Sequence, residues 1–190
     1  MKILIIGVGG IGSFLSEHLF KQIEKAQLCA DITIADEDMV ELKQIKWQNF
    51  SLEEIGKSKS YAIGMRYDFN VINKRITKEE QLKGFDLIMI CVDNEKTREL
   101  VVRYCHKNKT EFIDLRATGR RIFAMVKAKT LQSNLKFIDS DDKEEYSCQD
   151  KEDLKRDWIQ IGNQIIASAG CQMVLNHYRG HSNKTILLTI

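Results

Sequence analysis

A glycine-rich turn near the start of the chain has the residue types and spacing of a phosphate-binding site. The stretch IIGVGGIGS places Gly7, Gly9 and Gly12 in the pattern G-x-G-x-x-G, between an apolar strand and a helix. In such a turn the first glycine permits the tight bend, the second lets a phosphate approach the backbone, and the third lets helix and strand touch. The free N–H groups of the helix N-terminus then face the anion. The turn therefore predicts a bound nucleotide.

An acidic residue supplies the second half of a nucleotide site. Asp36 follows the predicted strand DITIA (31–35), where a carboxylate accepts hydrogen bonds from the hydroxyls of an adenosine ribose. Because NAD and ATP share that ribose, these residues leave both nucleotides open. A glycine turn that only packs a strand against a helix is the simpler alternative.

Five short motifs, taken in order, resemble those of the ThiF, MoeB and HesA proteins, the short prokaryotic members of the ubiquitin-activating superfamily. These proteins carry G-x-G-G-x-G-S, D-x-D-x-V-E, S-N-L-x-R-Q, G-x-x-K and, after a central strand, D-N-x-x-x-R. The matching residues are Gly7, Gly9, Gly10, Gly12 and Ser13; Asp36, Asp38, Val40 and Glu41; Lys43 to Gln48; Gly56 and Lys59; and Asp93, Asn94 and Arg98. The resemblance covers residues 1–120 well and is weaker beyond them.

The resemblance implies ATP-dependent adenylation of a carboxylate. In that reaction two anions meet, so the site needs cations and a metal ion to hold them. It implies that Lys59 contacts the phosphates, that Asp93 holds Mg²⁺ and that Asp36 binds the ribose. The implied nucleotide-binding set is Gly7, Gly9, Gly10, Gly12, Asp36, Asp38, Gln48, Lys59, Asp93 and Asn94. The implied substrate is the C-terminal carboxylate of a small ubiquitin-like or sulfur-carrier protein, and the implied assembly is a homodimer.

Each of these residues also has a plainer interpretation. Lys57 and Lys59 could lie on the solvated face of a helix, as most lysine pairs do. Asp93 and Asn94 could merely cap the helix that follows them, since both types are favoured N-caps. An NAD-dependent oxidoreductase is a further alternative. It uses the glycine turn and the ribose acid Asp36, but it needs neither Lys59 nor the Asp93–Asn94 pair.

Three departures from the family pattern favour a non-catalytic nucleotide-binding scaffold. The Asn and Arg of S-N-L-x-R-Q are Gln44 and Trp47 here, and an indole cannot replace an arginine on a phosphate. Because the chain starts at its first strand, we expect no N-terminal arm with an arginine for a partner subunit. The zinc-binding cysteine pairs of many relatives are also absent. The arginines that could supply the missing charge are Arg66, Arg98, Arg116 and Arg120.

Cys148 is the remaining candidate for covalent chemistry, beside the catalytic candidates Asp93 and Lys59. The stretch EEYSCQDKEDLKRDWIQIGNQIIASAGCQMVL resembles the C-terminal part of plasmid-associated ThiF-like proteins of the PRTRC type. Some activating enzymes of the superfamily pass the adenylated carboxylate to a cysteine as a thioester, which implies that role for Cys148. The acidic residues around it disfavour a thiolate, so an unreactive cysteine is the alternative.

The other cysteines and two histidines favour structural roles. The cysteines that fall in apolar patterns, and are predicted to lie in the core, are Cys29, Cys91, Cys105 and Cys171. His177 and His181 have the spacing of two metal ligands on one helix face. Gly180 predicts that the helix ends between them, and no third ligand is visible in the sequence, so we expect no metal there.

Alternating strand and helix patterns predict how these residues are positioned. They indicate one α/β, Rossmann-like domain over residues 1–190, a mostly parallel twisted sheet with helices on both faces and antiparallel strands toward the C-terminus. The predicted strands are 2–6, 31–35, 70–76, 85–92, 111–115, 120–129 and 184–190. The predicted helices are 11–23, 57–66, 95–108 and 157–178, and residues 139–153 are predicted to form a surface loop.

The composition excludes several classes of protein. The net charge of +2 is too small for a dedicated nucleic-acid binder. No window approaches about eighteen consecutive apolar residues, and the N-terminal apolar run is too short for a signal peptide. We therefore expect a cytoplasmic protein with reduced cysteines.

Overall fold

A seven-stranded sheet organises the chain. The computed structural model describes residues 1–118, 121–139, 149 and 151–189. In these ranges the strands are β1 (Lys2–Ile6), β2 (Asp31–Ala35), β3 (Asn70–Ile72), β4 (Leu87–Ile90), β5 (Glu111–Thr118), β6 (Arg121–Val126) and β7 (Ile186–Thr189). Their order across the sheet is β3-β2-β1-β4-β5-β6-β7.

The strand order creates a crevice at one edge of the sheet. The first five strands are parallel, with β1 between β2 and β4, whereas β6 and β7 are added antiparallel. After β1 the chain builds outward through β2 and β3, and then returns to add β4 and β5 on the other side. Open α/β sheets bind ligands at the carboxyl ends of the strands where such a reversal occurs. Both the glycine turn and Asp93 follow strands at this point.

Helices cover both faces of the sheet, as the sequence predicts. They are α1 (Gly12–Glu24), α2 (Lys59–Tyr67), α3 (Glu95–Asn108), α4 (Leu131–Asp139), α5 (Lys151–Lys155) and α6 (Gly162–Tyr178). Because β1 is covered on both sides, alternate residues serve different cores. Ile3 and Ile5 pack with α1 and α6, whereas Leu4 and Ile6 pack with α3 and α4. None of the helices described is both long and apolar enough to cross a bilayer.

The first two thirds of the chain match the predicted elements, with shorter strands than expected. β3 ends at Ile72 rather than residue 76, and β4 covers Leu87–Ile90 rather than 85–92. β5 is longer than predicted, because β6 pairs with it as far as Thr118 opposite Arg121. The antiparallel strand predicted at 120–129 is confirmed as β6.

The C-terminal third departs further from the prediction. Helix α4 was not predicted, although Leu135 and Ile138 form its buried stripe against the core of α3. Helix α5 occupies the end of the predicted loop. The helix predicted from residue 157 begins only at Gly162, because Asp157 adopts a φ of +58° and turns the chain out of the helical direction.

Candidate nucleotide-binding site

A cavity of about 230 Å³ lies at the carboxyl edge of the sheet, above β1, β2, β4 and β5. Most of the predicted nucleotide-binding residues line it. They are Gly7, Gly9, Gly10, Asp36, Asp38, Gln48, Lys59, Asp93 and Asn94. The structure therefore brings together residues that are up to 87 positions apart in the sequence, from Gly7 to Asn94.

The glycines of the turn have distinct structural roles. Gly7 has a φ of +86°, and a Cβ there would lie 2.8 Å from the carbonyl oxygen of Cys91. Gly12 begins α1, and its Cβ would lie 1.9 Å from the carbonyl oxygen of Gly7. A Cβ on Gly9 would meet only Nε2 of Gln48, at 3.7 Å. The first and third glycines are therefore required by the fold, and the second leaves room beside the cavity.

Asp36 joins the turn after β1 to the turn after β2. Its carboxylate accepts hydrogen bonds from the backbone N–H of Val8 and of Asp38, each at 2.8 Å. Burial raises the pKa of Asp36, and these two hydrogen bonds oppose that effect. The carboxylate is thus fixed in place at one end of the cavity by two backbone groups.

Lys59 is a buried lysine. It is only 3% exposed, and its Nζ lies 3.3 Å from Oδ2 of Asp38, whose side chain is largely exposed. Ser58 begins α2 as its N-cap, so that Lys59 points into the cavity rather than along the solvated helix face. The plainer interpretation of Lys59 as a solvated residue is therefore wrong, although it holds for the exposed Lys57.

Asp93 and Asn94 divide two tasks between them. Oδ1 of Asn94 accepts a hydrogen bond from the backbone N–H of Thr97 at 3.0 Å and so caps α3, as the plainer interpretation predicts. Asp93 is exposed at the wall of the cavity. Among the described residues no three His, Cys, Asp or Glu side chains converge as a metal site.

The segment that departs from the family motif lies at the cavity only in part. Gln44 and Gln48 line the cavity, and Oε1 of Gln48 is buried with no hydrogen-bond partner in the described chain. Trp47 is not among the lining residues that are described, and its backbone N–H donates to Gln44 at 3.1 Å. Trp47 therefore adds no charged group to the described lining of the cavity.

The arginine candidates separate clearly. Arg66 pairs with Glu54 and donates to the carbonyl of Asn49 at 2.8 Å, so its guanidinium is committed elsewhere. Arg98 and Arg116 both line the cavity. Arg120 lies outside the described residues. A residue that sequence reasoning missed, Asp114, holds the two lining arginines; the only signal for it is a charged residue inside the apolar strand EFIDL.

The cysteines and histidines contribute little to this site. Cys105 and Cys171 are buried as predicted, and burial raises the pKa of Cys105 to about 12 and that of Cys171 to about 11. Cys91 is partly buried at the cavity wall, whereas the prediction of a core position for Cys29 is wrong, because this residue is exposed beyond the end of α1. Cys148 lies outside the described residues.

The two histidines border a different cavity. His177 and His181 line a cavity at the amino-terminal edge of the sheet, beside the start of β5, far from the glycine turn. As predicted, α6 ends between them, at Tyr178. No third metal-ligating residue of the described chain joins them.

The fold and the cavity define a Rossmann-like α/β class, and the comparison with known families is more specific. The model of the ThiF family matches residues 1–189, so the chain belongs to the ThiF family. This confirms the resemblance drawn from the five motifs and extends it into the C-terminal third.

Two curated relatives come from Haemophilus influenzae. The chain is 28% identical over 129 residues to a tRNA threonylcarbamoyladenosine dehydratase, covering 62% of this chain and 48% of that protein. It is 28% identical over 123 residues to a molybdopterin-synthase adenylyltransferase, covering 59% of this chain and 49% of that protein. The chain thus spans about half the length of the curated relatives it matches.

Solved structures confirm the fold. Crystal structures of E. coli MccB, one with AMPCPP and MccA and one with ATP, match with TM-scores of 0.73 and 0.72 at 20% identity. They cover 100% of this chain and 60% and 61% of MccB. At this identity the likeness establishes the Rossmann-like architecture and nothing finer.

Proposed function

We propose that the protein is an ATP-dependent adenylyltransferase. The observation that carries this proposal is Lys59, a buried ammonium that faces the same cavity as the glycine turn and Asp36. A buried lysine is costly unless it meets an anion, and its one ion-pair partner in the described chain is the exposed Asp38. A triphosphate supplies such an anion beyond the ribose, and it carries more negative charge than the pyrophosphate of NAD.

The proposed reaction transfers AMP to a carboxylate. A carboxylate oxygen forms a bond to the α-phosphorus of ATP, the bond from that phosphorus to the bridging oxygen breaks, and pyrophosphate leaves with the electron pair. In this proposal Asp36 holds the ribose, the backbone at Gly9 accommodates the α-phosphate, and Lys59 neutralises the phosphates that leave. All three groups are already in place around one cavity.

The donor set at Asp93 fits Mg²⁺. Its carboxylate is exposed at the cavity wall, and Mg²⁺ is commonly held by one or two carboxylates together with substrate phosphate oxygens. When bound there, the ion would reduce the negative charge of the phosphates. Asn94 would keep Asp93 in position by capping α3 beside it.

The proposed acyl substrate is the C-terminal carboxylate of a small ubiquitin-like or sulfur-carrier protein, bound by a homodimer. The ThiF family membership and the adenylyltransferase relative support this choice. The MccB structure that contains both AMPCPP and MccA supports the general arrangement of a nucleotide beside a second substrate on this fold.

The first test is titration calorimetry with ATP plus Mg²⁺ and, separately, with NAD⁺. We expect ATP to bind and NAD⁺ not to bind. Lys59→Met should weaken ATP at least tenfold and leave adenosine unchanged, because only the phosphates contact the ammonium. Lys57→Met, which removes an exposed lysine two residues away, is the matched control. Tighter binding of NAD⁺ than of ATP, or equal losses for ATP and adenosine, would contradict the proposal.

A further inference from the structure

A buried ionic cluster lies beside the cavity in the middle of β5, level with the end of β4. Asp114 is fully buried, and its Oδ1 accepts a hydrogen bond from Nε of Arg98 at 3.0 Å. Its Oδ2 accepts from Nε and Nη2 of Arg116 at 3.0 and 2.8 Å. Arg98 and Arg116 are 2% and 5% exposed. One carboxylate therefore fixes two guanidinium groups that both border the cavity.

Arg98 keeps hydrogen-bond donors that the described protein does not use. Its Nε is taken by Asp114, and its Nη2 donates to the carbonyl of Val92 at 2.5 Å. None of the described residues accepts a hydrogen bond from Nη1. Arg98 lines the cavity, and hydrogen bonds from a charged donor to an anion are among the strong ones. The unused Nη1 at a cavity wall therefore indicates an anionic ligand.

The position of the cluster indicates which anion it meets. Along the carboxyl edge the strands run in the order β2, β1, β4 and β5, and they carry Asp36, the glycine turn, Asp93 and Asp114 respectively. At roughly 4.8 Å between neighbours, β5 lies about 14 Å from β2. An α-phosphate on the glycine turn would thus lie between the ribose acid and the ionic cluster.

The geometry of the displacement then separates the two reacting groups. The attacking and leaving oxygens must lie on opposite sides of the phosphorus. Lys59 pairs with Asp38 on the β2 side of the turn, which suits the departing pyrophosphate, and Arg98 lies on the β5 side. The anion that approaches from the β5 side is the carboxylate.

We propose that Nη1 of Arg98 binds the attacking carboxylate of the acyl substrate, and that Asp114 and Arg116 are positioning residues that hold Arg98 there. This inference rests on the proposed adenylation function. The guanidinium would neutralise the carboxylate as it nears the anionic phosphate, and because Asp114 and Val92 already fix it, little reorganisation would accompany the reaction. The cation missing at Trp47 would thus be supplied from β5 and α3.

The test uses three ligands, each of which extends farther than the one before from the proposed ribose site toward β5. They are adenosine, AMP and N-acetylglycyl-sulfamoyl adenosine, a stable mimic of an acyl-adenylate, and each is titrated calorimetrically into wild type and Arg98→Met. We expect the variant to lose at least tenfold in affinity for the acyl mimic while adenosine and AMP change less than twofold. Arg103→Met, on the exposed face of the same helix, is the control and should match wild type.

The remaining outcomes distinguish the two proposals. Suppose that Arg98→Met loses equal affinity for AMP and for the acyl mimic, or that it loses affinity for neither. If wild type binds AMP, either result overturns the assignment of Arg98 to the carboxylate and leaves nucleotide binding intact. If wild type binds neither AMP nor ATP, the proposed function fails and this inference fails with it. Should Arg98→Met not fold, Arg116→Lys keeps the charge but shortens its reach, and it should weaken only the acyl mimic.

Discussion

The proposed ribose side of the cavity, at Asp36, and the β5 side, at Asp114, hold charge in different ways. On the ribose side Asp36 is fixed by two backbone N–H groups, that of Val8 in the turn after β1 and that of Asp38 in the turn after β2. On the β5 side Asp114 is fixed by arginine side chains from α3 and from its own strand. The first carboxylate is therefore held by backbone groups, and the second is held by charged side chains.

This difference has an energetic consequence. The carboxylate of Asp36 has no cation bonded to it in the described chain, and burial raises its pKa, so the ribose side retains an acceptor for a ligand. The carboxylate of Asp114 is fully buried and is paired with two arginines. Removing the charge should therefore have very different effects on stability at the two positions.

The largest effect is expected from Asp114→Asn. The substitution leaves two buried guanidinium groups without their shared carboxylate, and breaking a buried ion pair from one side costs about 3–5 kcal/mol. The free energy of unfolding, measured by urea denaturation, should fall by about that amount. Glu111→Gln is the control. Glu111 also lies on β5, but it is half-exposed where it pairs with Lys127, so its substitution should lower the free energy of unfolding by less than about 1 kcal/mol. Similar losses for both variants would show that the cluster at Asp114 is not specially stabilising.

The second effect separates a glycine required by the fold from one required by the ligand. Gly12→Ala places a Cβ 1.9 Å from a backbone oxygen, so the turn must shift, and overpacking of this kind costs about 1–3 kcal/mol. Gly9→Ala meets only a side-chain nitrogen at 3.7 Å and should fold normally. Its added methyl group lies where a phosphate would approach, so ATP affinity should fall at least tenfold.

The two variants are compared by urea denaturation and by calorimetry with ATP. We expect Gly12→Ala to lower the free energy of unfolding. We expect Gly9→Ala to lower only the affinity for ATP. If Gly9→Ala binds ATP as wild type does, then no phosphate lies against Gly9, and the ribose side is bounded differently from our proposal.

The same contrast explains how much of the site could be predicted from sequence. The glycine turn, Asp36 and Lys59 are encoded in short spacings, because each is positioned by the backbone of the element it begins or ends. Asp114 has no such spacing. It is recognisable only once β5 is paired and α3 lies against it, because its partner Arg98 is a side chain on another element and no family motif links the two residues.

The C-terminal third shows the same limit for the fold. Helix α4 has a buried stripe of only Leu135 and Ile138, and its packing against α3 is stabilised by Asn134, which bonds His106 and the backbone at Ala128. These contacts are tertiary. Leu131, Leu135 and Ile138 recur at i, i+4 and i+7, but a pattern of nine residues is too short to indicate a helix by periodicity alone.

The smallest effect concerns pH, and it tests whether the ribose acid is held at a cost in stability. Burial places the pKa of Asp36 above its ordinary value of 3.8, so the folded protein binds this proton more tightly than the unfolded chain does. The resulting stabilisation is fully present below the ordinary pKa and is lost as the pH rises through the folded pKa. Asp36→Asn has no carboxyl group at this position, so its stability does not change with pH for this reason. Relative to wild type, the variant should therefore gain stability between about pH 3 and about pH 7. Urea denaturation at both pH values measures the difference, with Asp38→Asn as the control for net charge. A difference that stays constant with pH would show that Asp36 is as well solvated as an ordinary surface carboxylate, and the contrast between the two sides of the cavity would then rest on Asp114 alone.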